Sequence, residues 1–209
     1  MSEDKNQRET YQTIVATAQR LFMELGYRAV STRLIAQTCG ITQPALYHHF
    51  KNKQSLYIAV LKHTLNQTEN GLLSILNQYQ SFHDRFYHIA MYMMLRFEVD
   101  MAQMFHDINH ELSVEDRTQI QQWWKKGFLM PVVQVLEDGL SNNEIKDPAI
   151  LGTNSMELAF FILNIIKSVL QAPNFSKLPE AEQRKTAERQ AKLIVEIFIY
   201  GMKDESILK

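Results

Sequence analysis

Hydrogen-bonding side chains are concentrated in one short stretch of this 209-residue chain. Gln43 and Ala45 lie near the start of a short predicted helix, where base edges are usually met. Tyr47, His48 and His49 follow within its next turn. An amide can pair with a base edge, while hydroxyl and imidazole groups can donate hydrogen bonds to phosphates or bases. The chemistry that these residue types and spacings favour is hydrogen bonding to nucleic acid.

Two short helices are predicted to position these side chains. The first begins at Ser31 or Thr32, either of which can cap its first turn, and it ends at Gly40, which can adopt the left-handed conformation. Thr42 is the expected cap of the second helix, and Pro44 lies in its first turn, where the missing N–H is no loss. Two helices joined by a tight glycine-containing turn form a helix-turn-helix, whose second helix enters the major groove of DNA.

The helix that follows this pair is predicted to begin with an anion site. Asn52 can cap it, and Lys53 lies in its first turn. Backbone N–H groups, the helix dipole and an ammonium group therefore converge where a phosphate oxygen could dock. Within the second short helix, Leu46 and Phe50 are apolar and four residues apart, so we expect both to face inward.

This segment resembles the DNA-binding domain of the TetR (tetracycline repressor) family. The family pattern has a small-residue pair, an isoleucine-alanine or leucine-alanine step, a glycine, a three-residue turn, a reading helix with a near-constant tyrosine, and a Phe-x-x-Lys step. The matching residues are Ser31-Thr32, Ile35-Ala36, Gly40, Tyr47 and Phe50-Lys51-Asn52-Lys53.

The resemblance implies a division of roles among the polar residues. Bases would be contacted by Arg33 and Gln43, and phosphates would be held by Thr32, Tyr47, His49 and Lys53. With their neighbours on the two helices, the predicted DNA-binding residues are Ser31, Thr32, Arg33, Thr42, Gln43, Pro44, Ala45, Tyr47, His48, His49 and Lys53.

Charge is unevenly distributed along the chain. Residues 1–63 carry 8 Lys and Arg against 4 Asp and Glu, a net charge of +4, while the remainder carries 14 against 19, a net charge of −5. This asymmetry is typical of a DNA-binding module joined to an acidic partner domain.

Cys39 is the sole cysteine, so an intrachain disulfide is excluded. A polar N-terminus and interrupted apolar runs predict a cytoplasmic protein without a membrane span.

Helical periodicity continues through the rest of the chain. Beyond the two short helices, we predict helices over residues 5–25, 52–78, 82–99, 100–112, 114–140 with a bend at Pro131, 147–171 and 179–202. The predicted fold is all-α, with an N-terminal three-helix helix-turn-helix domain over residues 1–51. A larger C-terminal helical domain for ligand binding and dimerisation would cover residues 52–209, and helix 52–78 would connect the two.

The last two predicted helices are apolar on nearly every side, so they require burial on two faces. Either they lie at the centre of the monomer, or one face packs on a second copy. We favour a symmetric dimer, because two recognition helices related by a twofold axis match a palindromic operator and because the family resemblance implies the same. The predicted interface residues are Phe160, Phe161, Leu163, Asn164, Lys167, Ile194, Ile197 and Phe198.

Aromatic and methionine side chains are concentrated between residues 82 and 128. Such side chains can line an adaptable apolar cavity, although a stripe of this kind at helical spacing is more often core. The family resemblance, rather than the stripe, favours a pocket for a small-molecule effector. Its candidate lining residues are Phe86, Tyr92, Met93, Phe97, Met101, Met104, Phe105, Trp123, Trp124 and Phe128.

A competing motif is formed by His106 and His110, which lie four residues apart and would share one helix face. The spacing resembles the HExxH motif of zinc proteases, with Asp107 in place of the glutamate. An aspartate reaches less far toward a metal-bound water, and a third ligand is not evident. A metal-binding helical hydrolase or metal sensor is therefore an alternative hypothesis, and a helical adaptor without sequence-specific DNA binding is another.

The leading hypothesis is a one-component DNA-binding transcriptional regulator. We expect a repressor that binds a palindromic operator as a homodimer and that is released when a small-molecule effector enters the C-terminal domain. Its partners would be double-stranded DNA, the effector and a second copy of the chain, without a membrane partner. We expect neither enzyme activity nor a cofactor.

Overall fold

The computed structural model describes residues 2–96, 107–170, 175 and 178–202, and these residues form helices and turns without a strand. This confirms the predicted all-α fold. The helices are α1 (Ser2–Ala29), α2 (Thr32–Thr38), α3 (Gln43–His49), α4 (Lys53–Gln78), α5 (Phe82–Arg96), α6 (Val114–Trp124), α7 (Met130–Ser141), α8 (Ser155–Leu170) and α9 (Glu180–Met202). Residues 107–111 are also helical. Among the described helices, none is long and apolar enough to cross a membrane.

The chain packs as two compact units. The first unit combines Met1–Asn66 with Val99–Trp123, and the second combines Gln67–Glu98 with Trp124–Lys209. The first unit therefore contains α1, α2, α3, the first half of α4 and most of α6. The predicted boundary at residue 52 separates the helix-turn-helix domain, residues 1–51, from the rest of the chain, and it stays a prediction.

The first unit is built around an apolar core that anchors the two short helices. Ile14, Leu46 and Leu56 are fully buried in this core, and Phe50 is 5% exposed. The inward direction predicted for Leu46 and Phe50 is therefore confirmed. Helical conformation in α1 breaks at Gly26, whose φ of 78° lies in the left-handed region that glycine tolerates.

The long helix predicted over residues 114–140 is interrupted before its proline. A single π-helical turn, Lys125–Leu129, separates α6 from α7. Met130 donates its N–H to the carbonyl of Lys125, which is five residues earlier. Pro131 has no N–H to donate, and a wider turn of this kind accommodates a disruption of the α-helical ladder. The predicted bend is thus spread over the turn that precedes Pro131.

The helix predicted over residues 147–171 is wrong in its first part. Asp147 does cap a helical turn, because its side chain accepts a hydrogen bond of 2.9 Å from the Ala149 N–H. That turn is only the 3₁₀ segment Pro148–Leu151, and it ends at Gly152 in left-handed conformation, with a φ of 71°. The continuous helix, α8, starts only after a second cap, the side chain of Asn154.

The second unit is organised around α5, which packs against α7, α8 and α9. Phe86 on α5 is 1% exposed, and its ring meets that of Phe198 on α9 edge to face at 5.3 Å. Arg85 is paired with Asp138 of α7 at 2.6 Å and also donates to the carbonyl of Tyr79. These contacts join α5 to two helices that follow it much later in the sequence.

Gly71 lies inside α4 at the point where the Tyr92 ring packs directly on the helix backbone. A Cβ atom at Gly71 would overlap the hydroxyl end of that ring. The Tyr92 hydroxyl donates to the carbonyl of Gln67, one turn earlier in α4, at 3.3 Å. Glycine is unfavourable in a helix interior, so this close approach gives a physical reason for its presence.

We therefore expect the effect of Gly71→Ala to change sign with the residue at position 92. In the natural chain the substitution should reduce the free energy of unfolding by about 1 kcal/mol, because the steric cost exceeds the gain in helix propensity. In a Tyr92→Ala background the same substitution should stabilise by up to about 1 kcal/mol. Urea denaturation of the four proteins measures both values. A stabilising Gly71→Ala in the natural chain would contradict the packing explanation.

Candidate nucleic-acid interface

Helix α2 begins and ends as its sequence predicts. The Ser31 hydroxyl accepts a hydrogen bond of 3.1 Å from the Leu34 N–H and so caps the helix. Gly40 has a φ of 68°, and the N–H groups of Gly40 and Ile41 bond back to carbonyls of α2. Two backbone bonds closed by a left-handed glycine form the expected tight exit from the helix. Arg33, the predicted base contact on α2, is exposed.

Helix α3 presents a polar side outward and an apolar side inward. The Thr42 hydroxyl accepts a hydrogen bond of 3.3 Å from the Ala45 N–H, and Pro44 occupies the first turn. Tyr47 is 45% exposed, and His48 is exposed as well. The capping hydroxyls of Ser31 and Thr42 accept bonds from the backbone, and each keeps a hydrogen that could be donated to a phosphate.

Three of the predicted DNA-binding residues form one hydrogen-bonded cluster between α2 and α3. The Gln43 side-chain nitrogen lies 3.1 Å from the Thr32 hydroxyl and 3.4 Å from the Tyr47 hydroxyl. The two hydroxyls are 3.2 Å apart. Thr32 is only 9% exposed, so its hydroxyl faces into this cluster. The hydrogen bonds from Thr32 and then from Gln43 lower the pKa of Tyr47.

The end of α3 is supported by an aromatic side chain that the sequence reasoning missed. Tyr11 of α1 stacks on Phe50 with ring centroids 5.1 Å apart, and it also lies 6.4 Å from the His49 ring. Tyr11 is 41% exposed, and His49 is half-buried. The single available signal was an aromatic residue one turn before the apolar position Ile14, and it did not indicate which helix Tyr11 would meet.

Lys53, the predicted phosphate ligand, is held by an aromatic ring in this structure. Its ammonium nitrogen lies 4.2 Å from the centroid of the Tyr27 ring, a favourable cation–π distance. Burial lowers the pKa of Lys53, and the nearby carboxylates of Glu111 and Asp107 partly offset that shift. The predicted Asn52 cap is confirmed, since its side chain accepts from the Ser55 N–H at 2.8 Å.

Residues 107–116 contact the end of α1 and the start of α4, the two helices that flank the helix-turn-helix, within the first unit. The Asp107 carboxylate, 3% exposed, accepts a hydrogen bond of 3.1 Å from the Tyr27 N–H. Glu111 pairs with the exposed Arg28 at 2.7 Å. The Gln54 side chain at the start of α4 donates to Asp116 at 2.8 Å. These contacts were not predicted, because the partners are more than sixty residues apart in sequence.

The metal motif receives no support from the geometry. Asp107 accepts from a backbone N–H, and His110 is exposed. His106 lies outside the described residues. In the part of the chain that the structure describes, no group of three His, Cys, Asp or Glu side chains is arranged to hold a metal ion.

The predicted effector-pocket residues fall into four groups. Phe86, Met93 and Phe128 are buried in the core of the second unit, where Trp124 stacks on Phe128. Tyr92 packs on α4, as described above. Trp123 belongs to the first unit, where the Lys62 ammonium lies 5.3 Å from its ring. The remaining four lie outside the described residues: Phe97, Met101, Met104 and Phe105. The pocket stays a prediction.

The predicted dimer residues divide between core and surface. Leu163, Ile194 and Phe198 are between 4% and 7% exposed, so within the single chain they are part of its core. Lys167 is half-buried. Asn164 is exposed, and so are three large apolar side chains of α8 and α9: Phe160 (51%), Phe161 (59%) and Ile197 (61%). Leu193, which the prediction omitted, is 53% exposed one turn before Ile197.

Residues 14–60, which include α2, α3 and parts of α1 and α4, match the family model described as bacterial regulatory proteins of the tetR family. These residues form a domain of the TetR family. Over 63 residues it is 44% identical to the Tn10 TetC protein of Escherichia coli, covering 30% of this chain and 32% of that protein. Over 69 residues it is 39% identical to the class C tetracycline repressor of Escherichia coli, covering 32% of this chain and 30% of that protein.

The match thus spans about a third of the length of these curated relatives. Across the whole TetR-type fold, the chain is similar to the solved structure of the regulator FadR from Bacillus subtilis in complex with stearoyl-CoA. The TM-score is 0.70 at 18% identity, covering 91% of this chain and 98% of that one. At this identity the likeness concerns the fold. The family consists of regulatory proteins rather than enzymes, in agreement with the prediction that the chain is not an enzyme.

Proposed function

We propose that this TetR-family chain is a DNA-binding transcriptional regulator whose α3 helix enters the major groove. The observation that carries the proposal is the two-sided character of α3. Leu46 is fully buried in the core, while Tyr47 and His48 are exposed and the Tyr47 hydroxyl lies beside the amide of Gln43. A recognition helix needs a rigid inner side and hydrogen-bonding groups on its outer side.

Within this proposal, Arg33 and Gln43 contact base edges, and Tyr47 and His49 hold phosphates. Lys53 contributes positive charge at the start of α4, and its ammonium would exchange the Tyr27 ring for a phosphate on binding. The basic character of residues 1–63, with 8 Lys and Arg against 4 Asp and Glu, favours approach to the polyanion.

We propose further that the chain acts as a homodimer on a palindromic operator. Helices α8 and α9 each leave a stripe of large apolar side chains exposed. On α8 these are the adjacent Phe160 and Phe161, and on α9 they are Leu193 and Ile197, which are four residues apart. Clustered exposed side chains of this size are typical of an interaction surface. A twofold dimer would place two copies of α3 about one turn of DNA apart.

The regulated state is proposed to be repression, relieved when a small molecule binds the second unit. A repressor is among the relatives that share the DNA-binding segment. The Bacillus subtilis regulator of similar fold holds stearoyl-CoA. The proposal does not extend to stearoyl-CoA as the ligand of this chain. In this proposal the chain acts in the cytoplasm, where bacterial DNA is found.

Selection of genomic fragments by the purified protein tests the proposal. We expect a sequence-specific fragment whose binding constant falls linearly with salt on logarithmic axes, because phosphate contacts release counterions. Arg33→Ala should weaken binding about tenfold through the loss of one base contact. Arg184→Ala is the matched control, since Arg184 is an exposed arginine of the second unit. A protein that selects no fragment over random duplex, at any salt concentration, would show the proposal to be wrong.

A further inference from the structure

We propose that Thr32 is a positioning residue that orients the Gln43 amide, so that Gln43 reads the exocyclic amine of an adenine or a cytosine in the major groove. The inference rests on the proposed DNA binding. It assigns Thr32 a role inside the protein, in place of the phosphate contact that the family resemblance implied.

The geometry of the cluster limits what Gln43 can offer to DNA. Its amide nitrogen has two hydrogens, and two hydroxyl oxygens face that nitrogen, Thr32 at 3.1 Å and Tyr47 at 3.4 Å. Within the described residues, the carbonyl oxygen of the same amide makes no hydrogen bond. Gln43 therefore presents an acceptor outward, while its donors are used within the protein.

The hydroxyl hydrogens of the cluster can also be counted. Thr32 and Tyr47 have one each, and one of the two is used in the 3.2 Å bond between them. Thr32 is 9% exposed and Tyr47 is 45% exposed. The arrangement that suits these exposures has Thr32 donating to Tyr47, whose own hydrogen then points outward toward a phosphate. Thr32 is thereby left without a group to offer to DNA.

An outward acceptor selects among the four bases by simple complementarity. In the major groove, adenine and cytosine each present an exocyclic amine that can donate, whereas guanine and thymine present carbonyl oxygens at the equivalent places. An amide carbonyl would repel the latter pair. Without the Thr32 hydroxyl, the Gln43 amide could flip and present either its N–H or its carbonyl to DNA. Loss of that hydroxyl should therefore weaken the preference for adenine or cytosine.

The test uses the full chain and an operator selected from genomic fragments by the natural protein. Thr32→Val keeps the side-chain shape and removes the hydroxyl. We expect it to weaken operator binding about tenfold, since two neutral hydrogen bonds are lost. It should also relax base preference at one pair in each half-site, the same pair that Gln43→Ala relaxes. Thr32→Ser should restore both properties. Thr38→Val is the matched control, because Thr38 is on α2 and bonds only to the carbonyl of Leu34.

A double-mutant cycle separates positioning from a direct phosphate contact. In a Gln43→Ala background, Thr32→Val should cost clearly less affinity and should change base preference no further, because the amide it orients is absent and only the bond to Tyr47 remains to be lost. An equal loss of affinity in both backgrounds, spread uniformly over all base substitutions, would assign Thr32 to a phosphate and overturn the inference. Thermal unfolding of each variant identifies a folding defect, and Thr32→Ala replaces Thr32→Val should the latter fail to fold.

Modified bases test the predicted chemistry directly. Replacing the preferred adenine with purine, or the preferred cytosine with pyrimidin-2-one, removes the amine and should weaken binding about as much as Gln43→Ala. Replacing adenine with 7-deazaadenine removes the ring acceptor and should have little effect. The opposite ranking would show that Gln43 donates rather than accepts. A natural protein that binds no specific fragment would instead contradict the proposed function, so the two failures are distinguishable.

A spectroscopic readout is independent of DNA. The hydrogen bonds from Thr32 and Gln43 lower the pKa of Tyr47 in the free protein. In Thr32→Val the Tyr47 pKa should therefore rise toward its ordinary range, as followed by the ring resonances in an NMR titration, while Thr38→Val should leave it unchanged. An unaltered Tyr47 pKa in Thr32→Val would show that the cluster does not form in solution.

Discussion

Replacement of Phe161 and Ile197 by glutamate is expected to convert the proposed dimer into a monomer and to weaken operator binding roughly a hundredfold. Both side chains are exposed in the single chain, by 59% and 61%, so the variant should fold normally. Buried between two copies, the added carboxylates would be without partners, which is strongly unfavourable. Sedimentation gives the oligomeric state, and fluorescence anisotropy with labelled operator gives the affinity.

The matched control uses another exposed apolar pair of the same unit. Ile150 and Leu151, in the 3₁₀ turn before α8, are 71% and 62% exposed. Substitution of both by glutamate makes the same change of charge away from the exposed stripes, and we expect neither oligomeric state nor operator affinity to change. A dimer that survives the substitutions at Phe161 and Ile197 would show that α8 and α9 do not form the interface.

Loss of the Asp107 carboxylate is expected to have the largest effect on stability. Its oxygen accepts the Tyr27 N–H at 3.1 Å and the residue is 3% exposed, so Asp107→Ala leaves a buried donor without this acceptor. Such a change should reduce the free energy of unfolding by about 2 to 3 kcal/mol. Asp107→Asn retains an oxygen acceptor and should lose much less. Urea denaturation gives the free energies, and exchange of the Tyr27 amide hydrogen should accelerate in Asp107→Ala.

Glu111 provides the comparison, because it forms an ion pair at the same contact. Its partner Arg28 has a side chain that is 77% exposed, and ion pairs at such exposed sites contribute less than about 1 kcal/mol. Glu111→Ala should therefore destabilise much less than Asp107→Ala. A larger loss of stability in Glu111→Ala than in Asp107→Ala would mean that charge attraction, rather than the hydrogen bond of Asp107, holds residues 107–111 against α1.

The Asp107 contact also connects stability with the predicted DNA interface. Tyr27 is held by Asp107 through its backbone and carries the Lys53 ammonium on its ring. Gln54, the residue after Lys53, donates a side-chain hydrogen bond to Asp116. A chain segment that follows the reader by more than forty residues thus sets the environment of the first turn of α4. From the sequence, Asp107 was expected only as part of a metal motif, because a carboxylate in a HDxxH spacing does not show which backbone group it will meet.

The helix-turn-helix was predictable because its signals are local. The Ser31 and Thr42 caps and the left-handed Gly40 each depend on groups within about four residues, and the structure confirms all three. Leu46 and Phe50 faced inward as expected for the same reason. Where helix limits were wrong, as before Pro131 and at Gly152, the local signals were present, but apolar residues on both sides made a continuous helix look favourable.

By itself, the sequence determined an all-α chain with a DNA-reading unit and named the residues on its outer side. Only the tertiary structure decided how those residues divide their hydrogen bonds, with Thr32 turned inward and the Gln43 side-chain nitrogen bonded to the hydroxyls of Thr32 and Tyr47. It also separated core from surface on α8 and α9, where Leu163 is buried and Phe161 is exposed. A helix that is apolar on every side does not indicate which side its neighbours cover. Contacts between distant segments arise from packing, whereas caps and turns arise from the backbone groups of a few adjacent residues.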